Sequence, residues 1–355
     1  MGVVGKAAVM EERRALRDLL QRLPKVDLHR HLEGSLRLQT LVEIAREHGI
    51  DLPARSSEEL RPYVQFSGEE PDFHRFLAKF RLLREFYRSK EAVERIAYEA
   101  VADAAADHVR YLELRFNPVA LARNQGFSLV DVTEWVTQAV AKAQEDHDIW
   151  VRLILQVGRD EEPRTAEEIV EVGLAFRDRG VVGVDLAGDE VNYPARGLAP
   201  LYRKARAEGL GVTIHAGEVG PPGNVRDAIR HFHAMRIGHG IRVIEDSNVV
   251  RLVRESGVTL EVCPTSNLQT GVVRTFSQHP LLDLFALGIR VTINTDDPSV
   301  SDTTLTDEYM VSVRAIGMGL VQLRQAIHYA IDAAFLSDDE KARLRERFHE
   351  WDAIG

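Results

Sequence analysis

The chain has 355 residues, with 45 Lys plus Arg against 55 Asp plus Glu, a formal net charge of −10, and a single cysteine, Cys263. One cysteine excludes an internal disulfide framework and any cysteine-rich zinc site, and the acidic balance argues against a nucleic-acid binder, which needs a basic surface for phosphate. No uninterrupted apolar run reaches the length of a membrane span, and the stretch from Gly2 to Glu11 lacks the apolar core of a signal peptide, so the expectation is a soluble cytoplasmic protein that binds neither nucleic acid nor membrane.

Along the chain, short apolar runs bounded by Gly, Pro or polar residues alternate with charged stretches of helical period. The predicted strands are Val26–Leu32, Val109–Phe116, Val151–Val157, Gly183–Ala187, Val212–His215, Met235–Gly238, Thr259–Cys263 and Arg290–Asn294. Predicted helices follow or precede them at Arg37–His48, Leu129–Glu145, Ala166–Arg179, Leu198–Glu208, Val225–His233, Asn248–Glu255 and Pro280–Ala286. Gly180, Gly209, Gly257 and Gly288 stand just past helices, where a left-handed cap favours glycine. Buried strands separated by crossover helices pair in parallel, and eight such units predict an α/β fold, a single (β/α)8 TIM barrel over residues 1–355. Two stretches exceed that count. Asp51–Glu99 is too long for one crossover and reads as a helical lid insertion, with Asp72–Ser89 its clearest helix, and Thr306–Phe335 and Ser337–Trp351 read as C-terminal helices.

Reactive side chains collect at the predicted strand exits, where barrels of this kind place their active sites. Strand one ends in His29-Arg30-His31-Leu32-Glu33, strand five in His215-Ala216-Gly217-Glu218, strand six in Gly238-His239-Gly240, and strand eight in Asn294-Thr295-Asp296-Asp297-Pro298. His29 and His31 are two apart and so share one face of a strand. An H-x-H pair alone does not make a metal site: His231-Phe232-His233 has the same spacing in a polar helical stretch and reads as surface histidine. A barrel, however, gathers the exits of strands one, five and eight around one mouth, and three imidazoles with a carboxylate suit Zn²⁺. Taken singly, Asp296 reads equally as a turn or helix cap before Pro298, Glu218 as a cap of the next helix, and His239 as a packed core histidine; as a mouth, Glu218 is a candidate general acid and His239 a candidate for stabilising hydroxide.

The segments Val26–Gly34, Asp185–Glu190, His215–Glu218, Arg236–Gly240, Glu261–Asn267 and Asn294–Pro298, in this order, resemble the adenosine deaminase family, and the resemblance runs from about Leu23 to the C-terminal helices. It implies a zinc-containing barrel that removes the 6-amino group of an adenine ring by hydroxide addition and loss of ammonia. By motif, His29, His31, His215 and Asp296 would bind one zinc per chain. Glu218 would protonate the ring nitrogen beside the attacked carbon, and His239 would position the hydroxide. Asp297 would hold the five-membered ring, and the Gly188 N–H would contact the six-membered ring. Phe76-Leu77-Ala78-Lys79-Phe80 looks like the family's lid helix, with Phe73, Phe76 and Phe80 on one face; core packing explains Phe80 equally well.

One position departs from the pattern. Many members carry aspartate where this chain has Glu33, and that acid contacts the ribose 5′-hydroxyl. Adenine deaminases of the superfamily often have glutamate there but usually lack the Ala-Gly-Asp-Glu motif present at Ala187–Glu190. The resemblance therefore favours adenosine or 2′-deoxyadenosine, to inosine or 2′-deoxyinosine, over adenine. A 5′-modified nucleoside such as aminodeoxyfutalosine competes, as does, from another class, a non-catalytic zinc-containing purine-binding barrel. A phosphorylated substrate requires cations at the mouth, and sequence does not place Arg30 or Arg37 there. The expected partners are a purine nucleoside and water, and a homo-oligomer is compatible with the fold.

Overall fold

A computed structural model of the protein describes residues 3–54, 56–66 and 68–354; Met1 and Gly2, which belong to the N-terminal reading above, lie outside them. Eight strands follow in chain order: β1 (Lys25–His31), β2 (Val109–Phe116), β3 (Trp150–Gly158), β4 (Val181–Ala187), β5 (Gly211–Ala216), β6 (Arg236–His239), β7 (Thr259–Val262) and β8 (Arg290–Ile293). They pair in parallel in sequential order. The ring is completed just past β8, where the His31 N–H donates to the Asp296 carbonyl and the Asp296 N–H donates to the His29 carbonyl, each at 2.8 Å. The predicted TIM barrel is the observed fold.

Local chemistry explains the crossovers. The helix Ser247–Ser256 starts where the Asp246 side chain accepts from the Asn248 N–H at 2.8 Å and stops at Gly257. The predicted glycine caps Gly180, Gly209, Gly257 and Gly288 all have positive φ. The lower end of the barrel is filled by an unusual layer. Phe335 lies against Gly211, where an added Cβ would come within 2.3 Å of its ring, and the Arg236 guanidinium sits 3.6 Å above the same ring. Only glycine admits so close an aromatic plug.

Several elements differ from the sequence reading, among them the predicted helix Asp72–Ser89, which is a helix Phe73–Leu83 and a short 3-10 turn Arg84–Phe86. An N-terminal helix, Val3–Arg22, precedes the barrel and docks on the C-terminal region, where Arg17 pairs with Asp307 at 2.5 Å. The helix Lys90–Ala106 crosses the predicted insertion boundary at residue 99 and packs beside β2 as a barrel helix. The predicted helix Thr306–Phe335 is two helices, Leu305–Val311 and Leu320–Ala333, separated by a π-turn and Gly317 (φ 97°). Among the described residues no helix is long and apolar enough to cross a membrane.

Candidate active site

Strand alternation turns His29 and His215 into the barrel, and the closure bonds bring Asp296 against β1. The imidazoles of His29 and His215 lie 4.6 Å apart between ring centres, and those of His31 and His215 5.2 Å. Gly238 makes this approach feasible, because an added Cβ there would stand 3.0 Å from the His29 ring and 3.1 Å from the His215 ring. The Nε2 atoms of His29 and His31 are 3.3 Å apart, and Asp296 Oδ1 is 3.1 Å from the first and 3.2 Å from the second. Ligand atoms 2.0–2.1 Å from a tetrahedral ion are about 3.3 Å from one another, so this triangle has the edge length of a zinc-type site. Asp296 and His239 both hold left-handed backbone, at φ 62° and 57°, a conformation that is strained for non-glycine residues and recurs at functional sites.

The histidines are oriented from behind. His29 Nδ1 faces Glu261 Oε2 at 2.8 Å, and His215 Nδ1 faces Asp185 Oδ2 at 3.0 Å. Each Nδ1–H is thus given to a carboxylate, which turns each Nε2 inward. Burial pushes the His215 imidazole down to about 4, so it stays neutral. Arg115 joins the two carboxylates, at 3.0 Å from Asp185 Oδ2 and 2.9 Å from Glu261 Oε2, and Arg236 holds the other Glu261 oxygen at 2.5 Å. Burial raises the proton affinity of Asp296, but His239 and the bonds from His29 and His31 outweigh it and hold the carboxyl well below its usual range. Burial lowers the proton affinity of His29 and His31, but the acids around them outweigh it and raise both; a cation among them would take the place of those protons, and this nitrogen and oxygen donor set suits a borderline metal ion.

His239 is fixed by a directional chain. The Leu281 N–H donates to His279 Nδ1 at 3.1 Å, so the His279 proton is on Nε2, which meets Asn267 Oδ1 at 3.2 Å. The Asn267 amide then donates to His239 Nδ1 at 3.2 Å. The His239 proton is therefore on Nε2, which faces Glu218 Oε2 at 3.7 Å and Asp296 Oδ2 at 3.8 Å. Glu218 does not cap the following helix, which begins at Pro222. It sits on a loop organised by Glu190, whose carboxylate accepts from the N–H groups of Gly217, Glu218 and Gly220 at 2.9, 2.8 and 2.7 Å. Burial, then the negative charge of Asp296, pushes the Glu218 carboxyl well above its usual range, which favours the neutral acid.

Above this cluster lies a cavity of about 400 Å³. Glu33, Gly188, Asp297, Phe76 and Phe80 all line it, together with His31, His215, Glu218, His239 and Asp296. Asp297 Oδ1 is buried with no partner, and burial followed by Asp296 pushes this carboxyl well up. It precedes a short helix but makes no side-chain cap. Among the described residues the Gly188 N–H donates to nothing. Glu33 Oε1 accepts from the Asn117 N–H at 2.8 Å, and its buried Oε2 has no partner. On the lid helix Phe73–Leu83, Phe76 is buried and packs 6.1 Å from Phe80 and 6.4 Å from Phe66 between ring centres.

Asp185, Glu190, Glu261 and Asn267 stood in recognisable motifs without a role; their partners, Arg115 and His279, had no local signal. Arg30 and Arg37 open onto a different cavity, beside Arg17 and Arg61. His231 and His233 lie away from the mouth, with His231 Nε2 beside Arg196 at 2.8 Å.

A family model described as adenosine deaminase matches residues 24–351. The adenosine deaminase of Pectobacterium atrosepticum is 39% identical over 326 residues, covering 92% of this chain and 96% of that protein. Among solved structures, an adenine deaminase from Arthrobacter aurescens is 30% identical with a TM-score of 0.86, covering 94% of this chain and 100% of that one. A Burkholderia ambifaria amidohydrolase with bound zinc is 29% identical with a TM-score of 0.87, covering 95% and 93%.

Proposed function

The chain belongs to the adenosine deaminase family of metal-dependent aminohydrolases, and from that premise we propose that it converts adenosine and 2′-deoxyadenosine to inosine and 2′-deoxyinosine. Water adds to C6 of the purine, the C6–N bond breaks, and the amino group leaves as ammonia. The observation that carries this reading is the convergence of the buried Glu218 and a fixed His239 on one cavity with His31, His215 and Asp296, behind which His29 stands 3.1 Å from Asp296.

One zinc per chain, held by those four residues, supplies Lewis-acid activation of water near neutral pH; the zinc in the Burkholderia relative supports this choice of metal. Glu218 holds the proton that passes to N1 as C6 is attacked, which keeps negative charge from building on the ring. His239, with its proton on Nε2, orients the attacking oxygen by donating to it. The raised proton affinity of Asp297 suits a carboxylic acid that donates to N7. The unpartnered Gly188 N–H suits N3 on the opposite edge. The free Glu33 oxygen, one methylene further out than an aspartate would place it, suits the sugar hydroxyl. Phe76 and Phe80, on the lid insertion within a single barrel domain, exclude bulk water and so strengthen these interactions.

Glu218 belongs to neither cluster of metal-ligating atoms, and its burial at this mouth disfavours a purely structural zinc barrel. The test is a panel of adenosine, 2′-deoxyadenosine and adenine, followed by loss of adenine absorbance and release of ammonia. The expected outcome is turnover of both nucleosides ahead of the base. A preference for free adenine would overturn the assignment of Glu33 to the sugar.

A further inference from the structure

We propose that the outer end of this cavity is a subsite for an anion carried on the 5′ side of the adenine nucleoside, held by Arg81 and Arg84; the proposal rests on the adenine-nucleoside reading above. Arg81 lies in the last turn of the lid helix, and Arg84 lies three residues on, in the turn that follows it. Both line the cavity. Among the described residues, neither guanidinium makes a hydrogen bond or a salt bridge, although the chain around them is rich in acids. Their neighbours are paired: Arg88 with Glu85 at 2.6 Å and Arg123 with Glu161 at 3.1 Å. Two exposed guanidiniums left free over a pocket are placed for a planar or tetrahedral oxyanion.

Their position selects the 5′ end. With the six-membered ring against Glu218 and the five-membered ring against Asp297, the sugar lies toward Glu33. Arg84 is close enough to Glu33 and to the buried Tyr87 for its charge to act on both. A group extending from C5′ past Glu33 thus emerges at the C-terminal end of the lid helix. Asp189, after β4, is already engaged by the Val191 and Asn192 N–H groups at 3.0 Å each. Arg81 and Arg84 thus bring two positive charges to the side on which the 5′ substituent leaves.

A phosphate on O5′ and a carboxylate on a longer 5′ arm share this chemistry, and the experiment separates them. The zinc-loaded protein is assayed at low ionic strength with adenosine, adenosine 5′-monophosphate and 5′-S-(2-carboxyethyl)-5′-thioadenosine, alongside Arg81→Gln/Arg84→Gln and Arg81→Lys/Arg84→Lys. We expect kcat/KM for at least one anionic compound to exceed that for adenosine by about tenfold, the scale of two exposed charge pairs. That ratio should shrink as salt is added, fall toward one in the Gln variant and be partly restored by Lys. The monophosphate leading locates the anion directly on the sugar oxygen; the thioether leading locates it on a longer arm. Adenosine turning over as well as both anionic compounds, or a ratio unchanged by Arg81→Gln/Arg84→Gln, overturns the subsite and leaves the deaminase reading standing. Absence of ammonia from all three compounds overturns the deaminase reading and the subsite with it.

Discussion

Asp296 and Asp297 are adjacent acids at one strand exit, and their surroundings drive their proton affinities apart. Asp296 is held ionised by three imidazoles, whereas Asp297, buried with an unpartnered oxygen beside that ionised neighbour, is pushed toward the neutral acid. Like charges this close do not both ionise readily, which suits the proposed roles of Asp296 as ligand and Asp297 as hydrogen-bond donor. The same division predicts different losses. His29→Ala or Asp296→Ala should lose zinc, measured as metal per chain after dialysis. Asp297→Ala should keep about one zinc and weaken purine binding by roughly tenfold, the size of one hydrogen bond in a buried site. Loss of zinc from Asp297→Ala would show the two roles reversed. The pair was visible in the sequence as two acids ending an apolar run; their opposite protonation was not, because it depends on His239, His29 and His31 arriving from other strands.

At the scale of elements, the segment after β7 matters more than its length suggests. It carries Asn267 between His239 and His279, and the fixed N–H of Leu281 gives the chain its direction. Asn267→Asp keeps an acceptor for His279 but presents a second acceptor to His239 Nδ1, which draws the His239 proton away from the site. Turnover should fall by at least about 100-fold with metal content unchanged. Nitrogen-15 imidazole spectra should show the His239 proton moved from Nε2 to Nδ1; an unmoved proton with normal turnover contradicts the relay. Strands were legible because their apolar runs end in Gly, Pro or reactive polar residues. The crossing at residue 99 was missed because Lys90–Ala106 has the composition of the insertion it follows, and its role as a barrel helix depends on packing against β2 and the helix Leu129–Asp146. The helix Val3–Arg22 was missed because it docks through distant contacts, Arg17 to Asp307 among them.

Across the whole molecule, closure of the barrel and assembly of the site are one event. The backbone bonds that join β1 to the exit of β8 also carry Asp296 to His29 and His31. Arg115 and Arg236 then tie the site to the floor, where Glu261 links the His29 ring to the layer capped by Phe335. The gathering of His29, His31, His215, Asp296 and Glu218 at one mouth was readable from sequence because a parallel barrel must bring its strand exits together. The arginine clamp and the two free guanidiniums of the lid were not, because nothing local distinguishes Arg115, Arg81 or Arg84 from the chain's other arginines. The central claim is that Glu218 delivers the proton that makes C6 attackable, and the most direct test is Glu218→Gln in zinc-loaded protein with adenosine. Zinc content and substrate binding should stay close to those of the parent, while turnover falls by at least about 100-fold; near-normal turnover with zinc in place would contradict it.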